Sequence, residues 1–244
     1  MLLVHIEVQR FGWMWAIIKP VITIFVYWFA FTIGLRGGKP INGYPFFLWL
    51  TCGILPWFYI NEMLVGGTNC LRRYSYLITK MKFPVSTIPT FASLSKITIN
   101  LCLTVIVILV FTLFGFYPDI YYLQIPFYTL CMFGFFTVLS LFMAPLSAMS
   151  KDFSNLVKSL ITAIFWLSGV IWDANKITTP WIKKMLMLNP VTFICNGYRN
   201  CFVNKVWFFQ EPKRFLYFII LTFIVVLLAV GTYKKLRKEL PDVL

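Results

Sequence analysis

The residues able to do chemistry in this chain are few, and one short polar interval holds a large share of them. GTNCLRRYSYLITKMKFP, residues 67–84, sets Arg72, Arg73, Lys80 and Lys82 between two long apolar runs. A single histidine, His5, stands near the start, so neither a Ser/His/Asp set nor a pair of zinc-binding histidines can be assembled around it. Cys52, Cys70, Cys102, Cys131, Cys195 and Cys201 show no CxxC or Cys/His spacing, and several fall inside apolar runs, where a thiol serves as a small core side chain. GLRGGKP, residues 34–40, is the nearest piece to a phosphate-binding loop. It lacks the spacing to a Ser/Thr and the strand-to-helix setting that such a loop needs. Catalysis by nucleophile, zinc or P-loop is not expected, and no cofactor is assigned to the chain itself.

Ionisable groups near membrane depth are costly and therefore functional candidates. Glu62, in Asn61-Glu62 after the second apolar run, is placed to pair with Arg72, Arg73 or a lysine of another segment, a structural role simpler than proton transfer. Lys96, in SLSKITIN, opens the third run and fits either a snorkelling cation or the wall of an interior pathway. Asp152 is the other carboxylate close to an apolar run. Trp57, Tyr59 and their many aromatic neighbours suit the headgroup zone, and a minority facing a pore could stack on sugar units.

The elements that must position these residues are membrane helices. Of the 244 residues 60% are hydrophobic and 12% charged, against roughly a quarter charged in soluble domains. Apolar runs recur at Met14–Leu35, Phe46–Val65, Ile97–Phe116, Ile125–Leu146, Leu156–Trp172 and Phe215–Tyr233, each near the roughly 20 residues that cross a bilayer as a helix. An all-α integral membrane fold with six spans is predicted. The first run is too long for a cleaved export signal and lacks a small-residue cleavage site. Basic residues mark the cytoplasmic side. The interval 67–84 and the cluster Lys234, Lys235, Arg237 and Lys238 both place the two termini there.

Residues 173–214 strain that rule, since they lie outside in this topology yet carry Lys176, Lys183, Lys184, Arg199, Lys205, Lys213 and Arg214. Apolar residues recur there at helical spacing, interrupted at Asn189-Pro190 and Gly197. Two short helices dipping into the membrane and an amphipathic helix on its surface fit equally well. Within 67–84, Asn69 or Thr68 can cap a short amphipathic helix with Leu71, Tyr74, Leu77 and Ile78 on one face and Arg72, Arg73, Tyr76 and Lys80 elsewhere, ended by Pro84. A basic loop binding lipid headgroups is the competing role.

Several motifs, in order along nearly the whole chain, resemble the membrane subunits of ABC-2-type polysaccharide and polyol-phosphate exporters. GWMWAIIKP is similar to the family's entry to its first helix, and GILPWFYINEML with GTN to its LPWxFF stretch. KMKFP resembles KxxFP, KDFSNLV resembles RDF/RDI, and LNPVTFICNGYRNCF resembles LNPxxxxxxxYR. GLRGGKPINGYPFFLWL and the terminal PDVL look most like the teichoic-acid branch, with capsule and O-antigen permeases as close relatives. One departure is that only MLLVHIEVQRF precedes GWMWAIIKP, where relatives carry a longer amphipathic segment.

The resemblance implies one transmembrane domain over residues 1–244, with a cytoplasmic coupling helix at about 67–80 and short re-entrant helices at about 173–212 between spans five and six. It implies a homodimer in the plasma membrane of a Gram-positive bacterium, joined to two copies of a separate ATPase that uses ATP and Mg2+. Asn69, Leu71, Arg72, Arg73, Tyr74 and Leu77 would couple to that ATPase. Trp57, Tyr59, Glu62, Lys96, Lys183, Lys184, Tyr198 and Arg199 would line the route of an undecaprenyl-diphosphate-linked anionic polymer, Arg199 and the lysines either contacting phosphate or holding the re-entrant fold. Membrane lipids are the other partner and nucleic acid is not one. An integral-membrane enzyme acting on lipid-linked sugars would need paired carboxylates or histidines, and a proton-driven carrier would need mid-helix acids. Neither set is evident.

Overall fold

A computed structural model describes residues 12–36, 40–81, 84–174, 177–237 and 239–240. His5, Lys82, Lys176 and the terminal PDVL lie outside the described residues. The described chain is helical throughout apart from its connections. Helix α1 spans Gly12–Phe29 and continues as a π-helical stretch, Ala30–Arg36. An Asn42-Gly43 turn then leads into α2, Phe46–Glu62, which widens into a π-helical end at Met63–Gly67. Two short helices follow, α3 at Cys70–Arg73 and α4 at Ser75–Met81. Long helices α5, Thr87–Leu113, and α6, Ile125–Met149, precede α7, Lys151–Leu167. The short pair α8, Pro180–Leu188, and α9, Pro190–Arg199, leads to α10, Pro212–Leu236.

Four of these stretches are long and apolar enough to cross a bilayer: Phe46–Gly67, Thr87–Leu113, Ile120–Met149 and Pro212–Leu236. Of the other two expected spans, the first has a shorter apolar part, Ile17–Ile33, and α7 is an amphipathic helix of 17 residues carrying Lys151, Asp152 and Lys158. Strict length and apolarity thus mark four spans among the described residues where six were expected. The boundaries also move. The third helix begins at Thr87, ten residues before the expected Ile97, because LSK and its neighbours continue the helix below the apolar run, so Lys96 stands well inside it. The fifth ends at Leu167, and Trp172 falls in the connection.

Position in the bundle sorts the apolar helices. Helix α2 is apolar on every side, the pattern of a helix enclosed by others, and 78% of its span is buried. Only 17% of α10 is buried, and Leu216, Ile220, Phe223, Ile224, Leu227 and Leu228 are exposed along it. An apolar surface that extensive is excluded from water, so these side chains face lipid or another membrane helix. Helix α10 packs on α6 through Phe218 against Phe135, with ring centroids 5.5 Å apart.

Helix α9 lies in the core against α2, with Ile194, Cys195, Tyr198 and Arg199 all buried. The predicted break at Asn189-Pro190 is where α8 stops and α9 starts. The predicted break at Gly197 is not there: the helix runs through it, and the missing side chain instead admits the Tyr128 ring of α6. Alanine at Gly197 is expected to lower the thermal midpoint of the detergent-purified protein by several degrees, since overpacking costs about 1–3 kcal/mol. Alanine at Gly134, where an added Cβ meets nothing within 4 Å, should leave the midpoint unchanged or raise it.

Candidate functional site

Two polar assemblies are built into this apolar bundle. The first is centred on Arg199 at the end of α9. Asn189 caps that helix, its Oδ1 accepting from Val191 N at 2.9 Å, and Pro190 occupies the first turn, where a missing N–H is harmless. The same Asn189 donates through Nδ2 to Ser168 Oγ at 2.8 Å, and Thr192 Oγ1 donates to Ser168 O at 3.0 Å. These bonds fasten α9 to the turn after α7. Gly169 turns the chain with φ of 65°, a conformation that suits glycine. The following carbonyls then point inward, and Arg199 Nη1 donates to Gly169 O at 2.7 Å while Nη2 donates to Val170 O. The guanidinium also stacks over Trp49 of α2, 3.8 Å from the ring centroid, a cation–π contact. Gly53 makes this approach possible, because a Cβ there would overlap both the guanidinium and Val170 O.

Arg199 is 1% exposed, and four acceptors surround its Nη atoms: the carbonyls of Gly169, Val170 and Trp172, and Asn196 Oδ1. Of its two expected roles, the structure places it where it holds the fold of residues 168–199. Tyr198 is equally enclosed, its hydroxyl 2.7 Å from Thr129 Oγ1 on α6. Lys183 and Lys184 lie apart from both, on α8, with Lys184 exposed. Further along, Lys205 pairs with Asp119 at 2.8 Å, and that hydrogen bond raises its ammonium above the ordinary lysine range.

The second assembly is a cleft of about 190 Å³ between α1, α2 and α5, at the end of the bundle that carries α3 and α4. Trp15, Lys19, Trp57, Glu62, Lys96 and Asn100 are among its lining residues. Lys96 Nζ donates to Glu62 Oε2 at 2.8 Å, so Glu62 takes the lysine of another segment rather than Arg72 or Arg73. Tyr59 is 2% exposed and forms the inner wall, its hydroxyl 2.6 Å from Ser93 Oγ, which in turn lies 2.6 Å from Thr137 Oγ1. Asn100 Nδ2 donates to Leu55 O at 3.0 Å, and its Oδ1 has no partner. Four expected pathway residues, Trp57, Tyr59, Glu62 and Lys96, are therefore brought together. The other four are not with them. Trp15, one of the aromatic residues expected in the headgroup zone, joins the first four, as do Lys19 and Asn100, which the sequence did not single out although Lys19-Pro20 inside an apolar run was a legible signal.

The interval 67–81 differs from its expected form. It is two short helices bent at Tyr74, and neither Asn69 nor Thr68 caps through its side chain: Thr68 Oγ1 donates back to Leu64 O, and Asn69 bonds elsewhere. Leu71 and Ile78 are buried in a cluster with Cys70, Ile88, Ala144 and Ala148. Arg72 donates to Ala148 O at 3.1 Å, whereas Arg73 and Tyr76 are exposed. Tyr74 and Leu77 are half-buried.

Comparison with known proteins bears on this arrangement. Residues 5–203 match the family described as ABC-2 type transporter. The chain belongs to the ABC-2 type transporter family. It is 27% identical over 196 residues to an O-antigen export system permease protein RfbA of Myxococcus xanthus, covering 78% of this chain and 72% of that protein. It is also similar to two proteins of the same description from Klebsiella pneumoniae, 23% identical over 96% of this chain and 88% of the relative, and 21% identical over 99% and 90%. All three are named for O-antigen and none for teichoic acid, so the narrower expectation gives way to the alternative stated beside it.

Within this ABC-2 chain the two assemblies should respond differently to mutation. Arg199→Met leaves several buried acceptors unpaired, at about 1–3 kcal/mol each, and is expected to cost more than about 3 kcal/mol of stability in thermal unfolding. Lys96→Met breaks a partly exposed ion pair, worth about 1 kcal/mol or less, and should leave the midpoint nearly unmoved.

Proposed function

We propose that this chain is the membrane-spanning subunit of an ATP-driven exporter of lipid-linked polysaccharide, with an O-antigen-type glycan as cargo. The observation that carries the reading is the family match together with three relatives all named for O-antigen export. The cleft supports it. It supplies what a sugar headgroup needs in an apolar bundle: indole faces for stacking, ammonium groups of Lys19 and Lys96, and the Glu62 carboxylate as an acceptor. Trp57, Tyr59, Glu62 and Lys96 accordingly form the cargo-facing set. Tyr198 and Arg199 act as fold residues, and Lys183 and Lys184 meet anionic groups at the opposite face.

In this reading α1 and α7 complete six crossings of one transmembrane domain, with both termini in the cytoplasm of a plasma-membrane protein. The excess of cations in residues 173–214 then weighs less against that orientation, since Arg199, Lys205 and Arg214 are engaged within the fold. Two copies of the chain and two ATPase subunits form the exporter, ATP and Mg2+ binding in the latter. Residues 67–81 are the coupling segment. Cys70 and Leu71 root it in the bundle, and Arg73 and Tyr76 are the groups it offers to the ATPase.

A teichoic-acid cargo stays as the second reading on the strength of the GLRGGKPINGYPFFLWL resemblance and the net charge of +14, which would favour a polyanion. Glycan analysis of a deletion strain decides between the cargoes: loss of a neutral polysaccharide supports the first, loss of a polyol-phosphate polymer the second. Loss of neither sinks both. In a co-expressed complex, Arg73→Glu with Tyr76→Ala is expected to reduce recovered ATPase at least tenfold without altering the permease's thermal midpoint. Trp57→Ala with Lys96→Met should retain the ATPase and reduce export.

A further inference from the structure

Asn69 stands immediately before α3, the position at which an asparagine side chain would ordinarily cap its own helix. All of its side-chain bonds go elsewhere. Oδ1 accepts from Ser154 Oγ at 2.7 Å and from Ser147 Oγ at 3.3 Å, and Nδ2 donates to Val65 O at 2.8 Å. Val65 lies in the π-helical end of α2, and the same carbonyl also accepts Asn69's own N–H at 3.3 Å. Ser147 is in the last turn of α6 and Ser154 in the first turn of α7, on either side of Ser150, whose extended backbone separates the two helices. One amide therefore joins three helix ends. Arg72 adds a bond to Ala148 O in the same corner, and Gly67 approaches so closely that a Cβ there would overlap Ser140 Oγ of α6.

Helix α7 also packs on α6 and on the π-helical end of α2 near this end, but through few buried side chains. Its buried residues are Ser154, Val157 and Phe165, while Leu156, Leu160, Trp166 and Leu167 are exposed. Apolar contacts allow packed helices to slide, whereas a hydrogen bond has a fixed length and direction and so transmits a lateral displacement. Ser154 is thus the point at which a displacement of residues 67–81 would be passed to α7 rather than absorbed by sliding.

We infer that Asn69 is a positioning residue that links the coupling segment to the α6–α7 corner, and that its bond to Ser154 passes the segment's movement to α7. This rests on the exporter reading above, and it adds a route that the family match does not supply. The test uses the complex with its co-expressed ATPase in proteoliposomes and reads glycan exported per ATP hydrolysed. Ser154→Ala removes the bond to α7 and spares those to Ser147 and Val65. It is expected to leave ATPase recovery and ATP hydrolysis within about twofold of wild type while lowering the export ratio about fivefold or more, the lower range of typical coupling effects. Ser154→Thr, which restores the hydroxyl, should recover the ratio. An unchanged ratio in Ser154→Ala, or an equal loss in both variants with falling ATPase recovery, would overturn the inference while leaving the exporter reading in place. A wild-type chain that recovers no ATPase removes the exporter reading, and this link with it.

Discussion

Taking a guanidinium out of water is among the most expensive steps a folding chain can make, several kcal/mol even after relaxation, unless other groups replace its hydration. Arg199 meets that demand with backbone carbonyls and an indole face, and the surroundings are shaped by having to provide them. The carbonyls can converge only because the turn after α7 reverses at Gly169 and is fastened by Ser168 to Asn189 and Thr192. The indole can lie beneath only because Gly53 leaves room beside Trp49. This cluster thereby ties α2, α7 and α9 together in a bundle whose other contacts are mostly apolar and weakly directional.

The other buried polar groups follow the same economy. Tyr59, Ser93 and Thr137 satisfy one another across α2, α5 and α6, and Thr129 and Tyr198 join α6 to α9. Where lipid surrounds the outside, hydrogen bonds between helices fix register that apolar packing leaves loose. A second group of polar side chains lies at one end of the bundle. There the Glu62–Lys96 pair, Lys19 and the unpartnered Asn100 Oδ1 border the cleft. One set ties helices to one another, and the other lines an open cleft. Asn69 belongs to neither set, since its bonds span the joint between the segment 67–81 and the body of the bundle.

The sequence by itself determined that the chain is helical and apolar, where its long runs lie, that Asn189-Pro190 breaks one helix and begins another, and that residues 67–84 stand apart. Each is a local property: hydropathy over about 20 residues, a capping asparagine before a proline, a cluster of charge. Local pattern also covered the family, because its motifs are short and ordered. What local pattern could not supply was the environment of each residue. Arg199 and Lys96 are both cations in or beside apolar segments, yet one is enclosed by carbonyls from a turn about 30 residues earlier and the other borders an open cleft. Gly197 reads as a break in one dimension and is a socket for Tyr128 in three. Asn69 reads as a cap and is a link, because Ser147 and Ser154, far along the chain, compete successfully for its oxygen. Tertiary structure alone decided these roles, since the energy of a buried polar group depends on partners that the chain's own neighbourhood does not contain.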